Sequence, residues 1–274
     1  MDTVTTLGLA FSPCPNDTFV FHAWAHGLIE GAPPVDVTLA DIDITNTAAE
    51  RGAFDVVKVS YAALPWLLGD YRLLPTGGAL GRGCGPLVLT RGDVADLDGR
   101  TVAVPSERST AYLLFRLWAS CQRPARIDVV PFASIMPAVH DGRYDAGLVI
   151  HEARFTYPSY GLQALVDLGE WWERDTNLPI PLGAIIAKRT LDAGALTKVI
   201  RSSVEHAWAH PEASAGYVAA HADEMSPTVQ QQHIALYVNE FTRDLGEEGF
   251  AAASALLTRA HDAGLTPGNP HLDS

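Results

Sequence analysis

Leu178–Lys188 reads LPIPLGAIIAK: two prolines, then an apolar run closing on Ile185-Ile186-Ala187. Proline removes a ladder donor, so the opening suits the start of a strand, and the apolar residues suit its buried continuation. The flanks give this run its meaning. Before it, strand and helix patterns alternate; after it, from Leu191 on, they are helical. A strand between two such regimes is read as a return crossing. It carries the chain back from an inserted lobe into the lobe where it began.

Working outward, the inserted lobe comes first. Thr101–Pro105, Ile127–Pro131 and Tyr144–His151 read as strands, with helices at Ala111–Ser120 and Ser134–His140. In Tyr144–Phe155, YDAGLVIHEARF, the residues Leu148-Val149-Ile150 form an apolar, β-rich run of the kind buried on both faces of a parallel sheet. His151 stands where that strand should end. Earlier in the chain, Val4–Phe11, Pro33–Ala40 and Asp55–Ser60 read as strands, with helices at Thr18–His26, Thr45–Gly52 and Tyr61–Leu68. Asn16 or Asp17 suits the N-cap of the first helix. Gly77–Gly85, GGALGRGCG, lacks a following GK[ST] and does not enter a helix as GxGxxG. It is read as a crossover or ligand-side loop before a strand at Pro86–Thr90. The C-terminal helices are expected at Ala195–Ala209, Pro211–His221, Thr228–Asn239 and Glu247–Ala263, with a break at Met225-Ser226-Pro227 and a loose tail from Thr266 to Ser274.

These patterns give an α/β chain with a larger discontinuous lobe (1–90 plus 176–274) and a smaller inserted lobe (91–175). Each lobe is expected to be a mostly parallel sheet flanked by helices, with a ligand cleft between them. This is the two-lobed, type-2 periplasmic-binding-protein-like fold.

The chain has 274 residues, 47% hydrophobic and 19% charged, with a net charge of -13. That composition supports a substantial core. The acidity argues against nucleic acid, which needs a basic surface, and against a polybasic membrane anchor. A local set of donors can still hold an anionic small molecule. No apolar run reaches the roughly 18 residues of a membrane span, and MDTVTTLGLAF has no basic n-region with a cleavage site, so a cytoplasmic protein is expected. Cys14, Cys84 and Cys121 lack CxxC spacing and read as reduced thiols.

An ionisable group placed by a rigid strand at the carboxyl end of a sheet is where ligands collect, so His151 is a candidate proton-transfer group. Its plainer role would be to bond a nearby carbonyl. Ser109-Thr110-Ala111 starts a helix after a strand, where amides and a hydroxyl favour a carboxylate or phosphate; an ordinary N-cap is the alternative. Lys58-Val59-Ser60 ends a strand in the other lobe. Asn46 lies near the start of a short helix, where capping is the default. His22 and His26 share a helical face, but without HExxH or a third ligand no metal site is expected. Cys14 stands at a helix start, where a nucleophilic thiol is one reading; between two prolines, with nothing nearby in sequence to supply a base, the structural reading is preferred. His140, His206, His210, His221, His233, His261 and His271 read as surface or helix-packing residues.

Together these segments resemble a known family. Ser12-Pro13-Cys14-Pro15-Asn16-Asp17-Thr18-Phe19, Lys58-Val59-Ser60-Tyr61-Ala62-Ala63, Gly77-Gly78-Ala79-Leu80-Gly81-Arg82-Gly83, Ser109-Thr110-Ala111-Tyr112, Ile150-His151-Glu152-Ala153-Arg154-Phe155-Thr156-Tyr157 and Pro181-Leu182-Gly183-Ala184 are similar to the 1,4-dihydroxy-6-naphthoate synthase family of the futalosine route to menaquinone. The resemblance implies a lyase that releases 1,4-dihydroxy-6-naphthoate and dihydroxyacetone from cyclic dehypoxanthine futalosine, with no metal or organic cofactor. It implies His151 as proton acceptor, and substrate contacts from Lys58, Val59, Ser60, Thr110, Ala111 and Asn46. Two other expectations are a chorismate dehydratase, which shares the fold but not the SPCPNDTF opening, and a non-catalytic binder of small organic acids.

Overall fold

Pro13 and Pro15 cannot extend a ladder, so the first strand stops at Phe11 and a helix starts at once. The chain is described by a computed structural model over residues 5–222, 226–268 and 271–272. The expected strand start at Val4, the break at Met225 and part of the C-terminal tail lie outside the described residues. In chain order the first elements are β1 (Leu7–Phe11), α1 (Pro15–Ala25), β2 (Val35–Leu39), α2 (Ile42–Glu50), β3 (Val56–Ser60), α3 (Leu64–Leu67) and β4 (Tyr71–Gly81). Next come β5 (Leu87–Thr90), β6 (Thr101–Val104), α4 (Thr110–Trp118), β7 (Arg126–Val129), α5 (Phe132–His140), β8 (Ala146–Val149), α6 (Ala153–Thr156), β9 (Gln163–Asp167) and α7 (Leu168–Thr176). The chain ends with β10 (Ile180–Lys188), α8 (Ala193–Ala209), α9 (Ala215–His221), α10 (Pro227–Tyr237), α11 (Glu240–Arg243) and α12 (Gly246–Asp262).

Two five-stranded sheets result, ordered β2-β1-β3-β10-β4 and β7-β6-β8-β5-β9. In each, four strands share one direction and a single strand opposes its neighbours: β10 in the first and β5 in the second. Each opposing strand is the one on which the chain first enters that sheet after crossing over. β10 therefore is the return strand read from LPIPLGAIIAK. The parallel strands of both sheets aim their carboxyl ends at the space between the sheets, where a ligand cleft is expected for open α/β sheets.

Several expectations need correction. The sequence pattern puts Pro86–Thr90 in the larger lobe, but β5 pairs with β8, Leu87 opposite Val149, so the chain crosses before it. The glycine run is only partly a loop, since Gly77, Gly78 and Gly81 lie in β4. A Cβ on Gly78 would come 2.7 Å from the Gly183 carbonyl oxygen of β10, so close strand approach requires the glycine. Cys14, not Asn16 or Asp17, is the N-cap of α1, because Pro15 takes the first helical position. Asn16 and Asp17 fall in the first turn with buried side chains. Strand β9 was not anticipated; its first two residues are exposed and the apolar signal is weak.

One apolar cluster joins the sheets. It includes Val57, Val59 and Leu80 of the first, Val88, Val102 and Leu148 of the second, and Leu256 of α12. Helices α8, α9 and α10 pack on α1 and close the outer side of the first sheet. This brings α10, late in the chain, beside the turn that follows β1.

Candidate active site

The wall supplied by the first sheet carries a buried polar network. Asp17 is 2% exposed, and its carboxylate accepts from Ser12 Oγ (2.7 Å), from the Ser12 amide (3.3 Å) and from Asn16 Nδ2 (2.7 Å). It also pairs with Lys58 Nζ. A buried ion pair is tolerated only where added hydrogen bonds offset the loss of water, and these donors do that. Gly183 makes room for the lysine stem: a Cβ there would lie 2.8 Å from Lys58 Cε.

The network fixes a second histidine. A carboxylate only accepts, so the Asn16 amide nitrogen must face Asp17, which turns Asn16 Oδ1 toward His233 Nε2 at 3.1 Å. His233 Nε2 therefore carries the proton and Nδ1 is bare; that Nδ1 is buried with no hydrogen-bond partner. Burial holds the His233 pKa well below the ordinary imidazole value, with His151 and Lys58 adding to the effect. His233 was expected at the surface or packed between helices. It lies in the cleft wall instead, 2% exposed. The sequence signal was the stripe Gln230, His233 and Tyr237, the buried residues of α10. Polar groups on a helix's buried face ask for polar partners.

The second sheet supplies His151, two residues beyond β8, in a turn with φ 55°. That left-handed conformation is uncommon outside glycine, though histidine is enriched there. Its Nδ1 lies 2.8 Å from Cys14 Sγ. No base lies near Cys14 in the sequence; the fold supplies one from 137 residues away. Burial pushes the Cys14 thiol well above its usual range and Asp17 adds to this, so the sulfur keeps its proton. The imidazole also meets Phe132 (centroids 5.8 Å apart) and stands edge-on to His233 (6.2 Å, interplanar 87°).

The other expected residues divide by role. Strand alternation turns Lys58 and Ser60 toward the cleft and Val59 away; Val59 is wholly buried and does not line the cleft. Asn46 sits mid-way along α2 and caps nothing, because that helix starts at Ile42, earlier than expected. It holds Ser60: Asn46 Oδ1 accepts from the Ser60 amide (2.8 Å), and Nδ2 donates to Ser60 Oγ (3.1 Å) and to the Arg108 carbonyl (3.4 Å). Thr110 bridges the lobes. Its hydroxyl donates to the Leu182 carbonyl (2.8 Å) and accepts from the Ala62 amide (3.2 Å). The N-cap of α4 is Ser109, which leaves the Thr110 and Ala111 amides without intrahelical acceptors at the cleft.

Two cavities meet at His151. An inner chamber of about 90 Å³ is lined by the Asp17–Lys58 network, Ser60, Thr110, Ala111, His233 and the buried Tyr237. An outer cavity of about 480 Å³ opens between Pro13–Pro15, Asp41–Asp43 and Val129–Phe132. Ile42, Ser109, Ile150 and His151 line both. Together the two fall within the roughly 300–1,000 Å³ of small-molecule sites.

Two sheets, a crossing strand in each and a cleft at the strand ends define the periplasmic-binding-protein-like class. The aliphatic sulphonate binding protein of Escherichia coli shares this fold at TM-score 0.69 and 14% identity, over 96% of this chain and 89% of that one. A crystal structure of an Archaeoglobus fulgidus protein is closer, at TM-score 0.89 and 31% identity over 95% and 98% of the two chains. The chain belongs to the menaquinone biosynthesis family, whose model matches residues 7–262. Two curated relatives, both named 1,4-dihydroxy-6-naphthoate synthase, come from Streptomyces coelicolor and Thermus thermophilus. The first is 67% identical over 96% of this chain and 95% of its own length; the second is 47% identical over 96% and 97%.

Proposed function

We propose that this chain is a 1,4-dihydroxy-6-naphthoate synthase: a lyase that cleaves cyclic dehypoxanthine futalosine to 1,4-dihydroxy-6-naphthoate and dihydroxyacetone. The observation that carries the reading is the position of His151, at the junction of the two cavities and in the chamber that Thr110 and Ala111, with their first-turn amides, also line. The curated relatives bear the same activity in their names over nearly their whole length.

In this reading the substrate spans both cavities. Its aromatic carboxylate meets the Thr110 and Ala111 amides and the Ser60 hydroxyl, donors that oppose the acidic surroundings. Lys58 does not compete for that carboxylate, since Asp17 already neutralises it. The sugar-derived part faces the outer cavity. Neutral His151 takes a proton, and a retro-aldol step breaks the carbon–carbon bond. The electron pair of that bond passes into the second ring, the one that becomes aromatic, and the sugar fragment leaves as a carbonyl compound. Formation of the second aromatic ring drives the step, so the protein supplies placement and one base, without metal or organic cofactor. The work would be done in the cytoplasm on a small diffusible acid; among the described residues no helix is long and apolar enough to cross a membrane.

Incubating the purified protein separately with cyclic dehypoxanthine futalosine and with chorismate tests the reading. The naphthoate chromophore should grow with the first alone. Dehydration of chorismate, or binding of either compound without turnover, would contradict it.

A further inference from the structure

We infer that Cys14 is the positioning residue of the cleft base: its sulfur accepts the Nδ1–H of His151 and so fixes the tautomer whose bare Nε2 receives the substrate's proton. This rests on His151 being the base. Among the described residues the Cys14 sulfur is the hydrogen-bond partner of the His151 ring, at 2.8 Å from Nδ1. A neutral imidazole has one N–H and one lone pair. Were the thiol to donate to Nδ1, that lone pair would be spent on sulfur and the remaining nitrogen would carry the proton. No basic atom would then face the substrate. With Nδ1–H pointing at the sulfur, Nε2 is basic and free.

The surroundings suit a fixed acceptor and not a nucleophile. Pro13 and Pro15 clamp the Cys14 backbone at φ -58°, ψ 148°, so the sulfur has a set position at the head of α1. Asp17, three residues on and bonded to the neighbouring Ser12, opposes a thiolate. The left-handed turn at residue 151 places the ring without a strand to hold it, which leaves its orientation to such a contact. Cys14 belongs to the first lobe and His151 to the second. The contact therefore exists only while the lobes meet, and the base is correctly set only in a closed cleft.

The test uses the full chain with ¹⁵N-labelled histidine, alongside Cys14→Ala, Cys14→Ser and His151→Gln. In the wild-type protein the neutral His151 should give the Nδ1–H pattern of ¹⁵N shifts. In Cys14→Ala that pattern should change toward Nε2–H. Its kcat should fall by on the order of 10-fold or more, part of the roughly 10²–10⁴ a placed base contributes. KM should hold and the acidic limb of the pH–rate profile should move. Cys14→Ser, with an oxygen acceptor, should regain the tautomer and most of the rate. An Nε2–H tautomer in the wild type overturns the inference, as does a Cys14→Ala enzyme with wild-type rate and pH profile. So does a slow Cys14→Ala enzyme that keeps the Nδ1–H pattern. If Cys14→Ala does not fold, the wild-type tautomer and the serine variant decide alone. Turnover by His151→Gln would instead remove the base itself, a separate failure.

Discussion

The two walls of the cleft are built on opposite plans. On the first-lobe wall, Ser12, Asn16, Asp17, Lys58 and His233 bond one another, and the Asp17 and Lys58 charges are paired before a ligand arrives. On the second-lobe wall, the Thr110 and Ala111 amides have no intrahelical acceptor and His151 stands on a turn, its ring hydrogen-bonded, among the described residues, to one sulfur. The contrast separates support from chemistry. A network of paired charges resists change and sets shape, while unsatisfied donors and a lone base are what a substrate can use.

The sharpest break of that contrast is on the second wall. His151→Gln should cut kcat by about 10²–10⁴-fold, the range of a positioned base, with substrate still bound in a calorimetric titration. On the first wall the cost should be stability instead. Asp17→Asn strands the Lys58 charge and should remove about 3–5 kcal/mol, read as a lowered denaturation midpoint. Adding Lys58→Met to Asp17→Asn should recover much of that loss, because no unpaired charge remains.

Thr110 lies between the two plans, since its hydroxyl ties the walls together. Thr110→Val leaves the Ala62 amide and the Leu182 carbonyl without their partner, at about 1–3 kcal/mol. The expected outcome is a higher KM with kcat little changed, because the loss falls on cleft assembly and not on the proton transfer.

The smallest effect concerns pH. The folded-state pKa of His233 is lowered, so below its ordinary value near 6.5 the unfolded chain binds a proton that the native chain refuses. Stability should therefore fall as pH drops below about 6.5, by at most about 1.4 kcal/mol per pH unit for this group, and level off below the lowered pKa. His22, also lowered by burial, contributes in the same sense. His233→Gln should flatten the slope in acid melts, and an unchanged slope would assign it elsewhere.

Much of this was legible in the chain. Strand-end position marked His151, Ser60 and the Thr110 helix start, and the return strand marked the lobes, because these rest on local periodicity. The misses share one physical cause: each depends on a partner distant in sequence. Helical spacing can say that His233 faces inward, but not that Asn16 waits there, 217 residues earlier. Nothing local links Cys14 to His151. Asn46 was expected as a cap, and only the packing of α2 on β3 turns it into the clamp on Ser60. Strand β5 was given to the wrong lobe because a short apolar run does not say which sheet it joins.

The central claim is that residue 151 faces the bond that breaks. A crystal structure of the His151→Gln protein with unreacted cyclic dehypoxanthine futalosine tests it most directly. The substrate carboxylate should lie on the Thr110–Ala111 amides, with the reacting centre within about 3.5 Å of the side chain at position 151. A substrate seated with that centre turned away from position 151 would contradict it.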